Sequence, residues 1–472
     1  MAETPAEYRP RCFEPTLLHT LVARHLGELR AESFDGDEPG GGVPAFVVRE
    51  LEAFLGCHDL RRGFARLRCV ACRAEHLLAF SCKTRTVCPS CSTRRMAQTA
   101  AFLVDHVLPA VAVRQWVLAP PFPLVPLLGA RPEVLSAMNR IFVSTVSRWV
   151  ESQVPSRGRG PARTGAVTFI QRFSRSLLLF PHLHVVVLDG AYVEDTDGAL
   201  HFEATRAPTE SDMAFVSRAV AHRLGRYLKK HGFIDADDLE TPSSPLMRWY
   251  AGLLREPAGY ADVDDAGGVE GRRFGARRRS TGEAQGFSVH AEVTVAAHDA
   301  AGRERLCRYA ARPPLADAQL SMTRDGRVAV QLRGRRRGGV GHVVLEPVRL
   351  LRRLAWLIPP PGSPQVRFAG VLAGNASWRS RVVPVAAAGA SVADEASASS
   401  CTETRARPTR PRNAASIAWH VLLRRTYDVD AQVCGRCGDR MRVIAVIQDP
   451  AVAARIVDHL ARSGVAMARG PP

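Results

Sequence analysis

Two Cys-x-x-Cys pairs, Cys69-Val-Ala-Cys72 and Cys88-Pro-Ser-Cys91, stand fifteen residues apart near the start of the chain. Each pair can hold two thiolates on one metal from a tight turn, and two such turns complete a tetrahedron. The spacing predicts a structural Zn²⁺ ribbon on Cys69, Cys72, Cys88 and Cys91, closed by four protein ligands. Nearby Cys57, His58 and Cys82 read as packing residues or a spare ligand. Cys434-Gly-Arg-Cys437 is half of a site, which either His459 or Cys401 completes or which remains a turn with two free thiols. Clustered cysteines of this kind suit a reducing compartment, so a cytoplasmic location is expected. Met1–Pro10 carries Glu3 and Glu7 and lacks the apolar core of a secretory signal. The most apolar stretch, Val107–Ala130, is broken by Arg114, Gln115 and several prolines and does not read as a membrane helix.

The chain has 472 residues, long enough for about two to four domains at roughly 100–200 residues each. Its net charge is +18, nearly all from arginine, since only Lys83, Lys229 and Lys230 are lysine. A surplus of that size points to a polyanionic partner such as nucleic acid. Composition shifts divide the sequence into an N-terminal extension (1–45), a cysteine-rich domain (46–98), a helical linker (99–160) and a mixed strand-and-helix domain (161–330). A continuation of that domain (331–384), an Ala/Ser/Arg/Pro linker (385–412) and a small module with one Cys-x-x-Cys (413–472) follow. Arginine clusters at Arg277, Arg278, Arg279 and at Arg335, Arg336, Arg337 are candidate tracks for a DNA backbone.

Gly165–Ser174 and His182–Glu194 are rich in Val, Ile, Phe and Tyr and read as strands. Residues i and i+2 of a strand share a face, so His182 and His184 present two imidazoles together while Leu183 turns into the core. Neutral imidazoles suit a divalent cation and leave positions open for a phosphate oxygen. Asp195–Gly198 is a turn from which Leu200–Glu203 returns as a hairpin. Thr209 with Asp212 opens a helix whose apolar face is Met213, Val216, Val220, Leu224 and Leu228. A third strand, Gly286–Val295, carries His290. Asp299 then caps a helix over about 300–311 that Pro313-Pro314 stops, with Arg305, Tyr309 and Arg312 on one side.

His182-Leu183-His184, Tyr309 within LCRYAARPPLA, and the upstream FSCKTRTVCPSCSTRRMAQ occur here in that order. Together they resemble the rolling-circle transposases of bacterial insertion sequences of the IS91 type, whose His-hydrophobe-His (HUH) motif and nucleophilic tyrosine they match. The resemblance runs over roughly 45–380 and resumes around 419–460. It implies an α+β fold: an antiparallel-sheet HUH nuclease domain with helices, preceded by the zinc ribbon. It implies a single-strand DNA nickase and strand transferase working in the bacterial cytoplasm, at the nucleoid. A catalytic Mg²⁺ or Mn²⁺ would sit on His182 and His184, with His290 as first choice for a third ligand and Gln171 as second. Tyr309 would hold a 5′ DNA end as a phosphotyrosine, and Arg312 would steady the phosphate. The partners implied are single-stranded DNA at the element ends and target DNA.

Two positions depart from the pattern. The two-tyrosine branch has a second tyrosine four residues after the first, where this chain has Pro313. The chain therefore resembles a single-tyrosine branch, in which one site holds one covalent end and strand exchange needs a 3′-hydroxyl or the second subunit of a homodimer. Ala369 also stands where the family pattern leads us to expect a histidine. The rival readings are a replication initiator or relaxase with the same chemistry, and an inactive zinc-dependent DNA-binding protein.

Overall fold

The computed structural model describes residues 16–31, 42–155, 160–233, 282–284, 286–332, 341–384, 421–422, 425 and 432–462. The chain begins with α1 (Leu17–Ala31) and α2 (Ala45–Leu55), whose leucines and valines recur at helical spacing and are buried. A short hairpin, β1 (Phe64–Cys69) and β2 (Glu75–Ala79), turns at the first Cys-x-x-Cys. The second Cys-x-x-Cys opens α3 (Pro89–His106), with Cys88 as its N-cap and Pro89 in its first turn.

The segment expected to be a helical linker holds a strand as well as helices. β3 (Val113–Ala119) is buried along its whole length and lies inside the largest sheet. It precedes α4 (Val125–Ala130) and α5 (Pro132–Ser152). The sheet continues with β4 (Gly165–Phe173) and β5 (Leu179–Leu188). The hairpin β6 (Gly190–Glu194) and β7 (Leu200–Ala204) forms a separate two-stranded sheet. The run expected as one strand from His182 to Glu194 is thus broken at Asp189, whose carboxylate receives two hydrogen bonds of 2.8 Å from the buried Arg114 guanidinium. Thr209 and Asp212 close a capping box on α6 (Glu210–Lys230), and the five apolar residues named for its face are all buried.

Beyond it come β8 (Gly282–Ala284), β9 (Phe287–His290), β10 (Thr294–Val295) and α7 (Ala300–Ala310), whose Asp299 cap accepts from Gly302 N. A small sheet of β11 (Leu320–Met322), β12 (Val328–Gln331) and β13 (His342–Leu345) leads to α8 (Pro347–Leu357), which packs with α1. The N-terminal segment is therefore part of this core. β14 (Val366–Gly370) adds the outer strand beside β4. β15 (Met441–Ile447) and α9 (Pro450–Arg462) close the described chain.

The large sheet is antiparallel throughout, in the order β14-β4-β5-β3-β9-β8 with β10 also on β3. It is an α+β arrangement, and helices cover both faces. Leu183, Val185 and Val187 pack into one core with α5 and α6, while Val186 and Leu188 pack into another with α3 and α7. The period of two sorts alternate residues of β5 between these cores and turns His182 and His184 toward α7. No helix among the described residues is long and apolar enough to cross a membrane.

The small C-terminal module is not separate. β15 pairs with β1, so the order of the first sheet is β15-β1-β2. Val457 and Ala453 of α9 join Leu60, Phe64, Leu77 and Ala79 in one apolar cluster.

Candidate active site and metal centres

His182 and His184 are 3 % and 0 % exposed, and their Nε2 atoms lie 3.1 Å apart. Burial pushes His182 down to about 4, with the nearby Arg312 charge acting in the same direction; burial foremost, then His182 and Arg312, hold His184 well below the usual imidazole range. Both rings are therefore neutral at physiological pH, as metal ligation requires. Each has its second nitrogen engaged. His182 Nδ1 donates to Phe180 O at 2.8 Å, which leaves Nε2 with a lone pair. His184 Nδ1 lies 2.5 Å from Gln115 Nε2 on β3. With the amide nitrogen donating to that ring, His184 Nε2–H donates in turn to His182 Nε2. Rotating the Gln115 amide by half a turn lets its oxygen accept from Nδ1–H and frees both Nε2 lone pairs. The 3.1 Å separation suits two nitrogens each about 2.1 Å from one cation.

Gln171 lies directly across the strand pair from His182. Its Nε2 donates to Ala310 O at 2.8 Å and to Tyr309 O at 3.3 Å, gripping the last carbonyls of α7, of which Tyr309 O also accepts from Arg312 N. Its Oε1 is buried and accepts no hydrogen bond. A buried amide oxygen beside two neutral imidazoles is a fitting donor set for a hard divalent cation.

His290, the first choice for third ligand, stands elsewhere. It pairs with Val117, and Val117 pairs with His184, so β3 separates the two histidines by about two strand spacings, roughly 10 Å. The three histidines do not gather within 4.8 Å of one another. Strand order, which places β3 between β5 and β9, overrides the sequence argument that the His290 strand leads to the tyrosine helix. Gln171 is better placed by register.

Tyr309 lies in the last turn of α7, half-buried. Its ring centroid is 5.9 Å from that of His184 at 86°, an edge-to-face contact. Arg312 follows the helix end and lays its guanidinium 4.5 Å from the Tyr309 ring centroid and 5.9 Å from that of Phe173. The structure thus brings Tyr309, Arg312, His182, His184 and Gln171 together. Gln115 is the contributor that sequence reasoning missed. Its signal was a polar residue that, with Arg114, interrupts an apolar run. Arg277, Arg278, Arg279, Arg335, Arg336 and Arg337 lie outside the described residues.

The cysteines correct the expected ribbon. The two Cys-x-x-Cys pairs do not share one site: Cys88 and Cys91 gather with Cys57 and Cys82, while Cys69 and Cys72 gather with Cys434 and Cys437. Within each group all four Sγ atoms lie within 4.8 Å of one another. In the first, Cys57 is 3.6 Å from Cys88 and 3.8 Å from Cys91, and Cys82 is 3.5 Å from Cys91. The physical reason is the hairpin. β1 carries Cys69 away from the start of α3, while α2 and the segment after β2 bring Cys57 and Cys82 to it. Hydrogen bonds from Cys57, Cys82 and Cys88 hold the Cys91 thiol far below its usual range, and the same crowding pushes Cys88 up. A divalent cation relieves that conflict by replacing the shared protons.

Residues 165–380 match a protein-family model described as "Putative transposase", and residues 29–119 match one described as "Transposase zinc-binding domain". No curated protein and no solved structure matches the chain. The first match contains His182, His184 and Tyr309. The second contains Cys57, Cys82, Cys88 and Cys91, and neither reaches Cys434 or Cys437.

Proposed function

Because the chain belongs to the IS91-type transposases, with a zinc-binding domain at its N-terminus, we propose that it nicks and rejoins single-stranded DNA at element ends through Tyr309. The Tyr309 oxygen attacks the scissile phosphorus as the bond to the 3′ oxygen breaks. The phenol gives up its proton, the leaving oxygen gains one, and the 5′ end stays on the enzyme as a phosphotyrosine. Attack by an incoming 3′-hydroxyl reverses the step and restores the phenol. A phenol with pKa near ~10 is both an adequate nucleophile when activated and a tolerable leaving group, so the link conserves phosphodiester energy. His182, His184 and Gln171 would hold a Mg²⁺ or Mn²⁺ ion, which when bound supplies Lewis acidity at the phosphate. Gln115 and the Phe180 carbonyl orient the two imidazoles. Arg312 offers its positive charge to the phenolate and the phosphate oxygens. Gln171, by gripping the end of α7, keeps the tyrosine over this site.

The observation that carries this reading is the edge-to-face approach of Tyr309 to His184 at 5.9 Å, under the Arg312 guanidinium. With Pro313 four residues on, one site holds one covalent end, and exchange proceeds by a 3′-hydroxyl or in a homodimer. Lys83, Arg94 and His58 line a cavity of about 500 Å³ beside Cys91, a basic surface suited to DNA phosphates. The test is incubation with a labelled single-stranded oligonucleotide library and Mn²⁺. A denaturant-resistant protein–DNA adduct that disappears in Tyr309→Phe is expected. DNA binding without any adduct overturns the nickase and leaves a DNA-binding protein.

A further inference from the structure

The second cysteine group joins residues from opposite ends of the chain. Cys69 Sγ is 3.4 Å from Cys437 Sγ and Cys72 Sγ is 3.6 Å from Cys434 Sγ, across 368 and 362 residues. The two contributing turns are near copies. Cys69 N donates to Ala74 O at 2.8 Å, and Cys434 N donates to Asp439 O at 2.7 Å, each across five residues. In each turn the residue after the second cysteine takes a left-handed conformation: Arg73 at φ 60° and Gly438 at φ 76°. For arginine that backbone is costly without something to hold it. The same feature follows Cys57 and Cys82 in the first group, at His58 (φ 61°) and Lys83 (φ 58°). Two like turns, facing each other, bring four thiols within 4.8 Å of one another, a set able to close a tetrahedron around one ion. That geometry and softness select zinc and leave no open position for catalysis.

The surroundings show what such a site joins. Cys69 is in register with Met441, the first residue of β15, and Val70 N donates to Arg440 O at 3.1 Å. From there β15 runs along β1 as far as Phe64 opposite Ile447, and Arg61 pairs with Asp458 of α9 at 2.9 Å. The sulfur site stands at one end of this interface and the apolar cluster of Phe64, Leu77, Ala453 and Val457 at the other.

We propose that Cys69, Cys72, Cys434 and Cys437 bind a second zinc ion, which clasps the C-terminal segment onto the N-terminal domain and makes its docking metal-dependent. Metal analysis of the full chain, expressed in zinc-supplemented medium, should find two zinc ions per polypeptide. Cys434→Ser with Cys437→Ser should leave one, and Cys57→Ser with Cys91→Ser should also leave one. The ion retained by each double variant reports that its other site has folded. Replacement by Co²⁺ should give tetrathiolate charge-transfer absorption that halves in either variant. A specific protease site inserted between Ser399 and Ser400 then tests the clasp. After cleavage, the C-terminal fragment should co-elute with the body in the parent protein and dissociate at least tenfold faster in the Cys434→Ser/Cys437→Ser variant. One zinc per parent chain, unchanged by that double substitution, overturns the site. Two zinc ions with a fragment that stays docked in the variant overturns the clasp.

Discussion

Gln115 illustrates how one side chain sets the state of another. Its amide meets His184 Nδ1 at 2.5 Å in a wholly buried strand. Replacing it with leucine removes the group that orients the ring and fixes which nitrogen carries the proton. Gln115→Leu is expected to weaken Mn²⁺ binding about 10–100-fold, the range for loss of such an outer partner. Electron paramagnetic resonance titration of Mn²⁺ would measure it, and an unchanged affinity would show that His184 needs no such support. His182, His184 and Tyr309 stood out in the sequence because their spacing and neighbouring patterns are local. Gln115 stood out as polar in an apolar run, but its partner is 69 residues away, and no local pattern names it. That β3 stands between His290 and His184 was hidden for the related reason that strand order cannot be read from strand sequence.

At the scale of elements, α6 shows a start signal written in the chain and extended by distant groups. Thr209 N donates to Asp212 at 2.8 Å and Asp212 N to Thr209 Oγ1 at 3.3 Å, as the capping pattern requires. Arg206 adds bonds of 2.6 and 3.0 Å, and Trp149 of α5 donates at 3.0 Å. The Arg206 guanidinium foremost, then Thr209 and Trp149, hold the Asp212 carboxyl well below the usual carboxylate range. A lowered folded-state value means the stabilisation is complete above the unfolded value near ~4 and is lost as pH falls through the folded one. Urea midpoints should therefore drop as pH is lowered below about 4, and Asp212→Asn should flatten that dependence. Thr209→Ala should cost about 1 kcal/mol in the same denaturation. The buried Arg114–Asp189 pair ties β3 to the corner between β5 and β6. Arg114→Met strands the carboxylate and should destabilise by about 3–5 kcal/mol, read by thermal unfolding. Neither the pair nor the strand that carries it was legible, because a short apolar run rich in valine and leucine between helices fits helix or strand equally well.

Across the whole molecule, thiol reactivity separates structural metal sites from plain packing. Cys307 of α7 is fully buried, and desolvation foremost, reinforced by Glu304, pushes its thiol up to about 12. It should resist alkylation in the folded protein. A chelator should open Cys57, Cys82, Cys88 and Cys91 to iodoacetamide well before Cys307 reacts, as peptide mass spectrometry would show. Simultaneous labelling would mean that chelation unfolds the large sheet as well. The boundary drawn before 413 does not mark off a separate packing unit. Local composition marks 413–472 off from the rest, yet its strand and helix complete a sheet and an apolar cluster begun at Leu60.

That arrangement also dictates an order of synthesis. A ribosome finishes β1 and β2 hundreds of residues before it delivers Met441–Ile447, so the nascent first sheet waits with an unpaired edge and two solitary thiols until translation is nearly done. A copy of the gene interrupted anywhere ahead of Cys434 would emerge with its opening domain unfinished, however intact the large sheet between.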